Sequence, residues 1–213
     1  FLEAEGGGTV LLARGDLALQ MGLPVLAVVG YAQSFADGVH TSIPAPGIGA
    51  LGSGRGGRES RLARSLAKLG VSADDIAVVS KHDTSTQAND PNETELHERL
   101  ATALGRSPGN PLFVVSQKTL TGHAKGGAAV FQIMGLCQIL RDGVIPPNRS
   151  LDCVDDKLAT AEHFVWVREA LRIGDALPLK AGLITSLGFG HVSGLVALVH
   201  PQAFVAALDP QER

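Results

Sequence analysis

The sequence predicts an α/β fold, and three observations lead to this class. Helical patterns alternate with short, apolar, β-branched runs along most of the chain. Two such runs lie close together near the C-terminus and predict a terminal pair of strands. Polar segments that contain histidine directly follow two of the apolar runs, and α/β folds commonly place their chemistry at strand ends of this kind.

The first quarter of the chain predicts four elements. Residues 1–13 contain two strand-like stretches around Gly6-Gly7-Gly8 and predict a hairpin. Residues 14–21 predict a short helix, which Gly22 ends. The run PVLAVVGYAQS at 24–34 predicts a buried strand. The glycine-rich stretch 35–57 carries two prolines and predicts a surface loop.

The middle of the chain alternates between helix and strand. A leucine stripe predicts a helix over 58–70, and an acidic first turn with a closing glycine predicts another over 92–105. Short apolar runs predict buried strands at 76–80 and 111–116. A long helix is expected over 122–141, buried because its core FQIMGLCQIL is apolar nearly all round.

Near the C-terminus, two β-rich runs predict the terminal strand pair. They span 181–187 and 195–200, and the glycine-rich stretch 188–194 separates them. The class is therefore α/β, with no internal repeat.

Composition narrows the classes of function. The 213 residues include 18 Lys and Arg against 21 Asp and Glu, a net charge of −3, which argues against nucleic-acid or membrane-surface binding through a basic field. The longest apolar stretch, near 23–32, is about half of what a membrane span needs. Two cysteines and no signal-peptide pattern favour a reducing, cytoplasmic setting. Because the chain opens without Met inside a strand-like stretch, we expect a fragment of a larger protein.

Two motif matches are weak. Residues 47–52 fit G-x-G-x-x-G, but prolines precede them where a dinucleotide site needs a strand, so a flexible surface loop is favoured. In the segment GHVSG at 190–194, Ser193 lies one place too late for a hydrolase elbow. Neither motif predicts an activity.

Three segments remain as candidates for chemistry: KHDTST at 81–86, SQKTLTGH at 116–123, and the glycine-rich stretch 188–194. His82 and His123 each follow a short buried strand, so their side chains would converge if the two strands are neighbours. Taken alone, each histidine is more often an ordinary, partly buried residue. Their joint placement favours a shared site.

The expected chemistry of this pair is oxyanion stabilisation. A position near the N-terminus of a buried helix would keep His123 neutral, and a neutral imidazole can donate one hydrogen bond to a carbonyl oxygen. Zinc or iron could instead bind His82, Asp90 and His123. No metal-ligand spacing is present, however, and Lys118 would repel a cation, so a metal is disfavoured.

Read together, these motifs resemble the second half of β-ketoacyl synthases. The resemblance rests on HDTST at 82–86, the spacing Lys118-x-x-x-Gly-His123, and Gly-Phe-Gly-His at 188–191, with the opening 46 residues also similar. Asp83 and His191 replace glycines that are usual in the family. These two departures and the segment GHAKGGAA at 122–129 resemble the ketosynthase of microbial type I fatty acid synthases. The implied fold is thiolase-like, the C-terminal half of a layered αβαβα condensing domain.

The resemblance also implies roles for individual residues. His82 and His123 match the active-site histidines, which would stabilise the enolate formed when a malonyl thioester loses carbon dioxide. Lys118 and Glu93 match a buried ion pair that supports the site.

Substrate contacts are implied as well. Thr84 and Thr86 match the residues that hydrogen-bond the pantetheine arm of the carrier protein. A gating loop is implied for Gly188, Phe189, Gly190 and His191.

The nucleophile of the family, a cysteine on a strand-to-helix turn, has no match here. Cys137 lies inside the long apolar helix, and Cys153 lies among acidic residues. The nucleophile is therefore expected upstream, which would leave this fragment inactive alone. Plain thiolase activity is disfavoured because 188–194 contains no cysteine. A polyketide-type ketosynthase and a non-catalytic carrier-docking module stay open as alternatives.

The resemblance finally implies an organisation and a set of partners. Residues 1–200 would form the C-terminal half of the ketosynthase, and 201–213 a C-terminal extension or the start of a linker. No cofactor would be bound, and the phosphopantetheine arm would act as substrate carrier. The expected partners are the acyl carrier protein, the N-terminal half, other synthase domains and further copies in a homo-oligomer. Nucleic acid, membrane and metal are not expected.

Overall fold

The computed structural model describes residues 2–41, 45–159, 161–173 and 179–211. Its helices are α1 (Gly15–Gln20), α2 (Ile48–Gly52), α3 (Arg61–Ala67), α4 (Asp90–Leu104), α5 (Lys118–Thr121), α6 (Ala128–Asp142) and α7 (Pro201–Ala207). Its strands are β1 (Val28–Ala36), β2 (Ile76–Ser80), β3 (Leu112–Val115), β4 (Val144–Ile145), β5 (Phe164–Trp166), β6 (Leu171–Arg172), β7 (Ala181–Gly188) and β8 (Val192–Val199). The predicted α/β class is confirmed.

One mixed sheet organises the described residues, in the order β1-β8-β7-β2-β3-β5. Strands β7, β2, β3 and β5 run parallel, whereas β1, β8 and β7 pair antiparallel. Every residue of β2 and β3 is buried, which explains why these strands read as continuous apolar runs.

Helices cover both faces of the sheet. Leucines of α3 and α4, such as Leu66 and Leu100, pack on one face with Leu183 and Leu195. The other face packs against α6 through a second cluster, which includes Leu136. The sheet is thus the middle layer of a helix–sheet–helix arrangement, and its parallel strand ends present the loops that follow β2 and β3.

The opening segment does not form the predicted hairpin. Glu3 makes an isolated bridge with His123, and residues 9–13 pair with no strand among the described residues. The side chains of Leu11 and Leu12 are 77% and 75% exposed. The main-chain groups of a strand need hydrogen-bond partners, and the described part of the chain supplies no partner strand for residues 9–13.

The predicted long helix begins later than expected. Helix α5 ends at Gly122, which has a φ of 69°, and α6 begins only at Ala128 after a 3-10 turn over Lys125–Gly127. The buried side chains of α6 lie on one face of the helix, whereas Met134 is 44% exposed. The expectation that this helix is buried all round was therefore wrong. As a consequence, His123 lies outside any helix.

Other boundaries also differ. β1 is an edge strand with alternating, partial burial, so the prediction of a buried strand was wrong there. Residues 48–52 form α2, with Gly47 as its N-cap and Ala50 fully buried, so the prediction of a flexible loop was wrong there. Gly47 packs so closely against Leu96 that a side chain would clash. β8 begins at Val192, which leaves a loop of only 189–191.

The C-terminal segment begins with α7, whose Phe204 packs against the core. Residues 212–213 of the predicted extension and 42–44 of the predicted loop lie outside the described residues. None of the helices described is both long enough and apolar enough to cross a membrane.

Candidate active site

The loops after β2 and β3 bring His82 and His123 together. The strands are parallel neighbours, with Ser80 opposite Val115, and both loops leave the same edge of the sheet. The centroids of the two imidazole rings lie 5.3 Å apart, with the ring planes at 87°. The predicted convergence of the two histidines is confirmed.

Lys118 fixes the tautomer of His82. Its Nζ lies 3.2 Å from Nδ1 of His82 and also donates to the His82 carbonyl. Burial, followed by the positive charge of Lys118 and the neighbouring His123, lowers the pKa of His82 to about 3. The ring is therefore neutral near pH 7, and since Nδ1 accepts from the ammonium group, Nε2 carries the hydrogen.

A main-chain donor fixes the tautomer of His123. The N–H of Lys125 donates to Nδ1 of His123 at 3.1 Å, so Nε2 again carries the hydrogen. Burial lowers the pKa of His123, and the charges of Lys118 and Lys125 lower it further. The prediction of a neutral His123 holds, and burial is the largest cause of the lowered pKa.

Glu93 binds the start of the loop that carries His82. This fully buried carboxylate accepts hydrogen bonds from the main-chain N–H groups of His82 and Asp83, the latter at 2.9 Å. It also accepts from the hydroxyl of Thr185 on β7 and from Asn89. Four donors converge on one side chain, which fixes the start of the loop relative to β7.

The implied ion pair between Lys118 and Glu93 does not form directly. The ion pairs of the described residues do not include it, and the two side chains instead bind opposite ends of the His82 peptide: Glu93 the N–H, Lys118 the carbonyl. The charges still act at a distance, because burial lowers the pKa of Lys118 while Glu93 opposes that shift. Both residues therefore support His82, but by separate contacts.

Thr84 and Thr86 lie on the same loop, after His82. Their hydroxyl oxygens are 2.9 Å apart, and Thr86 also accepts from the N–H of Asn89. The N–H of Thr84 donates to Asp90 at 3.1 Å. These contacts fold the loop back onto the N-terminus of α4 and hold both hydroxyls in place.

Two buried residues of the site had no role predicted from the sequence, although Lys81 belongs to the candidate segment 81–86. Gln132 of α6 donates through Nε2 to the carbonyls of Ser80, Lys81 and Thr185, and so joins the ends of β2 and β7. Its signal was a lone amide in the apolar run FQIMG. Lys81 is fully buried, and the signal for this in the sequence was its position directly after an apolar strand.

A buried histidine extends this network. Nε2 of His97 lies 2.9 Å from the hydroxyl of Thr185, which in turn donates to Glu93. Burial, and then the charge of Lys81, lowers the pKa of His97 to about 3. His97 is thus a neutral donor that helps to orient Thr185.

The implied gating loop is the tip of the β7–β8 hairpin. Phe189 is 68% exposed, and His191 has a φ of 56° in a position that favours glycine. The main-chain N–H of Asp37 donates to the His191 carbonyl at 2.8 Å. The carboxylate of Asp37 accepts from the hydroxyl of Ser193, also at 2.8 Å. Asp37 therefore holds the base of the loop.

Neither cysteine has the setting of a nucleophile. Cys137 is half-buried in α6, and burial raises the pKa of its thiol; Cys153 is exposed. Within the described ranges, no group of three His, Cys, Asp or Glu side chains is arranged to hold a metal ion.

A layered α/β sheet with two imidazoles beyond neighbouring parallel strands defines the thiolase-like class of condensing folds. The model of the β-ketoacyl synthase C-terminal domain matches residues 26–152, and the chain belongs to that family. The resemblance drawn from the motifs is confirmed.

Similar proteins agree with this assignment. The chain is 38% identical over 239 residues to the fatty acid synthase alpha subunit hexA of Dothistroma septosporum, covering 99% of this chain and 14% of that protein. It is 36% identical over 209 residues to fatty acid synthase 2 of Mycosarcoma maydis, covering 98% of this chain and 6% of that protein. The chain thus spans a small part of the relatives it matches.

Solved structures share the fold. The noncanonical ketosynthase FabY from P. aeruginosa superposes with a TM-score of 0.71 at 25% identity, over 90% of this chain and 28% of that one. An oxazolomycin ketosynthase domain of Streptomyces albus superposes with a TM-score of 0.73 at 22% identity, over 88% of this chain and 32% of that one. The predicted thiolase-like fold is confirmed.

Proposed function

We propose that this chain is the histidine-bearing half of a β-ketoacyl synthase that elongates fatty acids within a fatty acid synthase. The observation that carries the proposal is the pair of neutral imidazoles at 5.3 Å, each with Nδ1 occupied by a donor and the hydrogen on Nε2. Two such donors suit a reaction in which negative charge develops on one thioester oxygen.

The reaction would be a decarboxylative Claisen condensation. The bond between the malonyl methylene carbon and its carboxylate breaks, carbon dioxide leaves, and the electron pair forms a thioester enolate. His82 and His123 would stabilise the enolate oxygen through Nε2–H. The methylene carbon then attacks an acyl thioester on a cysteine supplied from outside this chain, and the cysteine leaves as thiolate.

The donors keep their protons throughout this sequence. Because the pKa of His82 is about 3, its ring is neutral near pH 7 and takes up no proton, and its role is that of a hydrogen-bond donor to the developing charge. Preorganisation by Lys118 and Glu93 lowers the reorganisation needed when the charge develops.

Carrier and partner contacts follow from the same proposal. Thr84 and Thr86 would bind the pantetheine arm of an acyl carrier protein, and no cofactor would be held by this domain. The loop of Gly188, Phe189, Gly190 and His191 would open and close the site. The relatives in the range of 36% to 38% identity are fatty acid synthase subunits, which supports a fatty acid product over a polyketide.

The organisation is part of the proposal too. Residues 1–200 would form the C-terminal half of the ketosynthase and 201–213 its extension, in contact with an N-terminal half, other synthase domains and further copies. The exposed leucines at 11 and 12 support an apolar partner surface along the opening segment. A cytoplasmic location is also proposed, because the chain carries only two cysteines and resembles fatty acid synthase subunits.

His123→Ala in a full-length synthase that carries this chain tests the proposal. Decarboxylation of malonyl carrier protein should fall by about 100-fold or more, because one of two oxyanion donors is lost. His40→Ala, an exposed histidine, is the matched control and should keep the rate. A wild-type decarboxylation rate in His123→Ala would contradict the proposed function.

A further inference from the structure

Lys81 and Asp83 form a buried ion pair on either side of His82. Nζ of Lys81 lies 2.6 Å from Oδ1 of Asp83 and 3.1 Å from the hydroxyl of Thr94 on α4, and it stands 5.8 Å from the centre of the Phe164 ring. The Lys81 side chain has no exposed surface. A buried ammonium group is tolerated only when it is paired, so Lys81 depends on Asp83.

Asp83 in turn occupies a backbone conformation that favours glycine. Its φ is 25°, and glycine is usual there in the family that the motifs resemble. Such a conformation costs a residue with a Cβ some strain, and it persists where surrounding contacts hold it. Here the carboxylate binds Lys81 through Oδ1, and Oδ2 accepts from the hydroxyl of Ser116.

The contact with Ser116 links the two loops of the site. Ser116 begins the segment that carries Lys118 and leads to His123, whereas Asp83 adjoins His82. One carboxylate thus joins the loop of the first imidazole to the loop of the second. Glu93, which holds the N–H groups of His82 and Asp83, lies close enough for its charge to act on Lys81.

We propose that Lys81 and Asp83 are a mutually dependent positioning pair, which sets the spacing of His82 and His123 in place of the usual flexible glycine. The inference rests on the proposed function, since the spacing matters only if both rings act on one oxygen. Removing one partner would leave an unpaired buried charge. With Asp83 neutral, the ammonium group would turn toward Glu93 and disturb its hold on His82.

The test compares three variants in the full-length synthase: Lys81→Met, Asp83→Asn and the double variant. Asparagine tolerates positive φ and keeps an oxygen for Ser116, so Asp83→Asn removes mainly the charge. Malonyl decarboxylation is measured as kcat and KM, and kcat is expressed per site able to load an acyl group. This normalisation separates misplaced histidines from a smaller number of folded sites.

Each single variant should lower kcat per loaded site by about 10-fold to 100-fold with little change in KM, because the donors are misplaced but substrate still binds. The double variant should be more active than either single variant, because no unpaired buried charge remains, but it should stay below wild type because the pair that sets the spacing is gone. Asp75→Asn, which removes a partly exposed pair with Lys180 at the opposite end of β2, is the control and should leave kcat unchanged.

Two results would overturn the inference: wild-type kcat per site in both single variants, or a double variant no better than the worse single one. His123→Ala, measured alongside, separates the possible failures. If His123→Ala loses decarboxylation while Lys81→Met and Asp83→Asn do not, only the positioning role is wrong. If His123→Ala and the single variants all keep the wild-type rate, the proposed function fails and the positioning role fails with it.

Discussion

Nζ of Lys118 lies 3.2 Å from Nδ1 of His82 and donates to the main-chain carbonyl of the same residue. A single ammonium group therefore fixes the ring nitrogen that accepts, the tautomer, and the peptide that carries the ring. In the proposed reaction, Lys118 acts through His82 rather than on the substrate.

Lys118→Met should lower the decarboxylation kcat of the full-length synthase by about 100-fold, because the His82 tautomer is no longer fixed. Lys68→Met, an exposed lysine of similar size, serves as control and should match wild type. Steady-state kinetics with malonyl carrier protein measure both. A Lys118→Met rate within about twofold of the control would argue against this role.

The same substitution should change the pH profile. Burial, Lys118 and His123 lower the pKa of His82 to about 3, and the neutral ring is the active form, so His82 should cause no loss of rate from pH 8 down to about pH 5. Without Lys118, the pKa of His82 should rise toward its ordinary value of 6.5, and activity should be lost at a higher pH as the ring protonates. An acid limb at the same pH in wild type and Lys118→Met would contradict this assignment.

Much of the site could be predicted because its residues follow strand ends. The parallel pairing of β2 and β3 makes the loops that carry His82 and His123 leave the same edge of the sheet, which was the basis of the prediction. The late start of α6 was not predictable from apolar periodicity, because Gly122 and the positive φ of Lys125 form a local turn ahead of the apolar run. Periodicity reports burial but not a local turn.

Contacts between distant residues escaped prediction for a different reason. The resemblance implied that Lys118 and Glu93 pair directly, but the His82 peptide lies between them. No role was predicted for Gln132 or Lys81, because the role of a buried polar residue depends on the partners that folding brings to it. Sequence spacing does not reveal those partners.

Glu93→Gln should destabilise the domain, because one amide oxygen cannot replace a carboxylate that accepts from four donors. Each buried N–H group left without an acceptor costs about 1–3 kcal/mol of unfolding free energy. The half-inactivation temperature of decarboxylation, normalised to each variant's own activity, should fall by several degrees.

Glu95→Gln is the matched control for this change, since Glu95 lies on the same helix and pairs only at the surface with Arg99. Its half-inactivation temperature should stay close to wild type. Equal temperatures for the two variants would show that the Glu93 contacts do not stabilise the loop.

Gly182→Ala should destabilise the layer between β7 and α6. A Cβ at Gly182 would lie 2.6 Å from Leu136 and 3.1 Å from the carbonyl of Val78, so both the helix and β2 would have to move. Overpacking of this kind costs about 1–3 kcal/mol. Gly52→Ala, where a Cβ meets nothing within 4 Å, is the control for thermal inactivation. Similar inactivation temperatures would show that the layer adjusts without cost.

Asp37→Ala should loosen the tip of the β7–β8 hairpin. The carboxylate of Asp37 accepts from Ser193 and from the N–H of Gly49, each at 2.8 Å, and these contacts join the loop base to α2. Without them, amide hydrogen exchange at 188–193 should become faster by about tenfold or more, while exchange in β2 stays unchanged. Asp16→Ala, which removes a surface carboxylate, is the control. Unchanged exchange at 188–193 in Asp37→Ala would mean that the hairpin is held by its strand pairing alone.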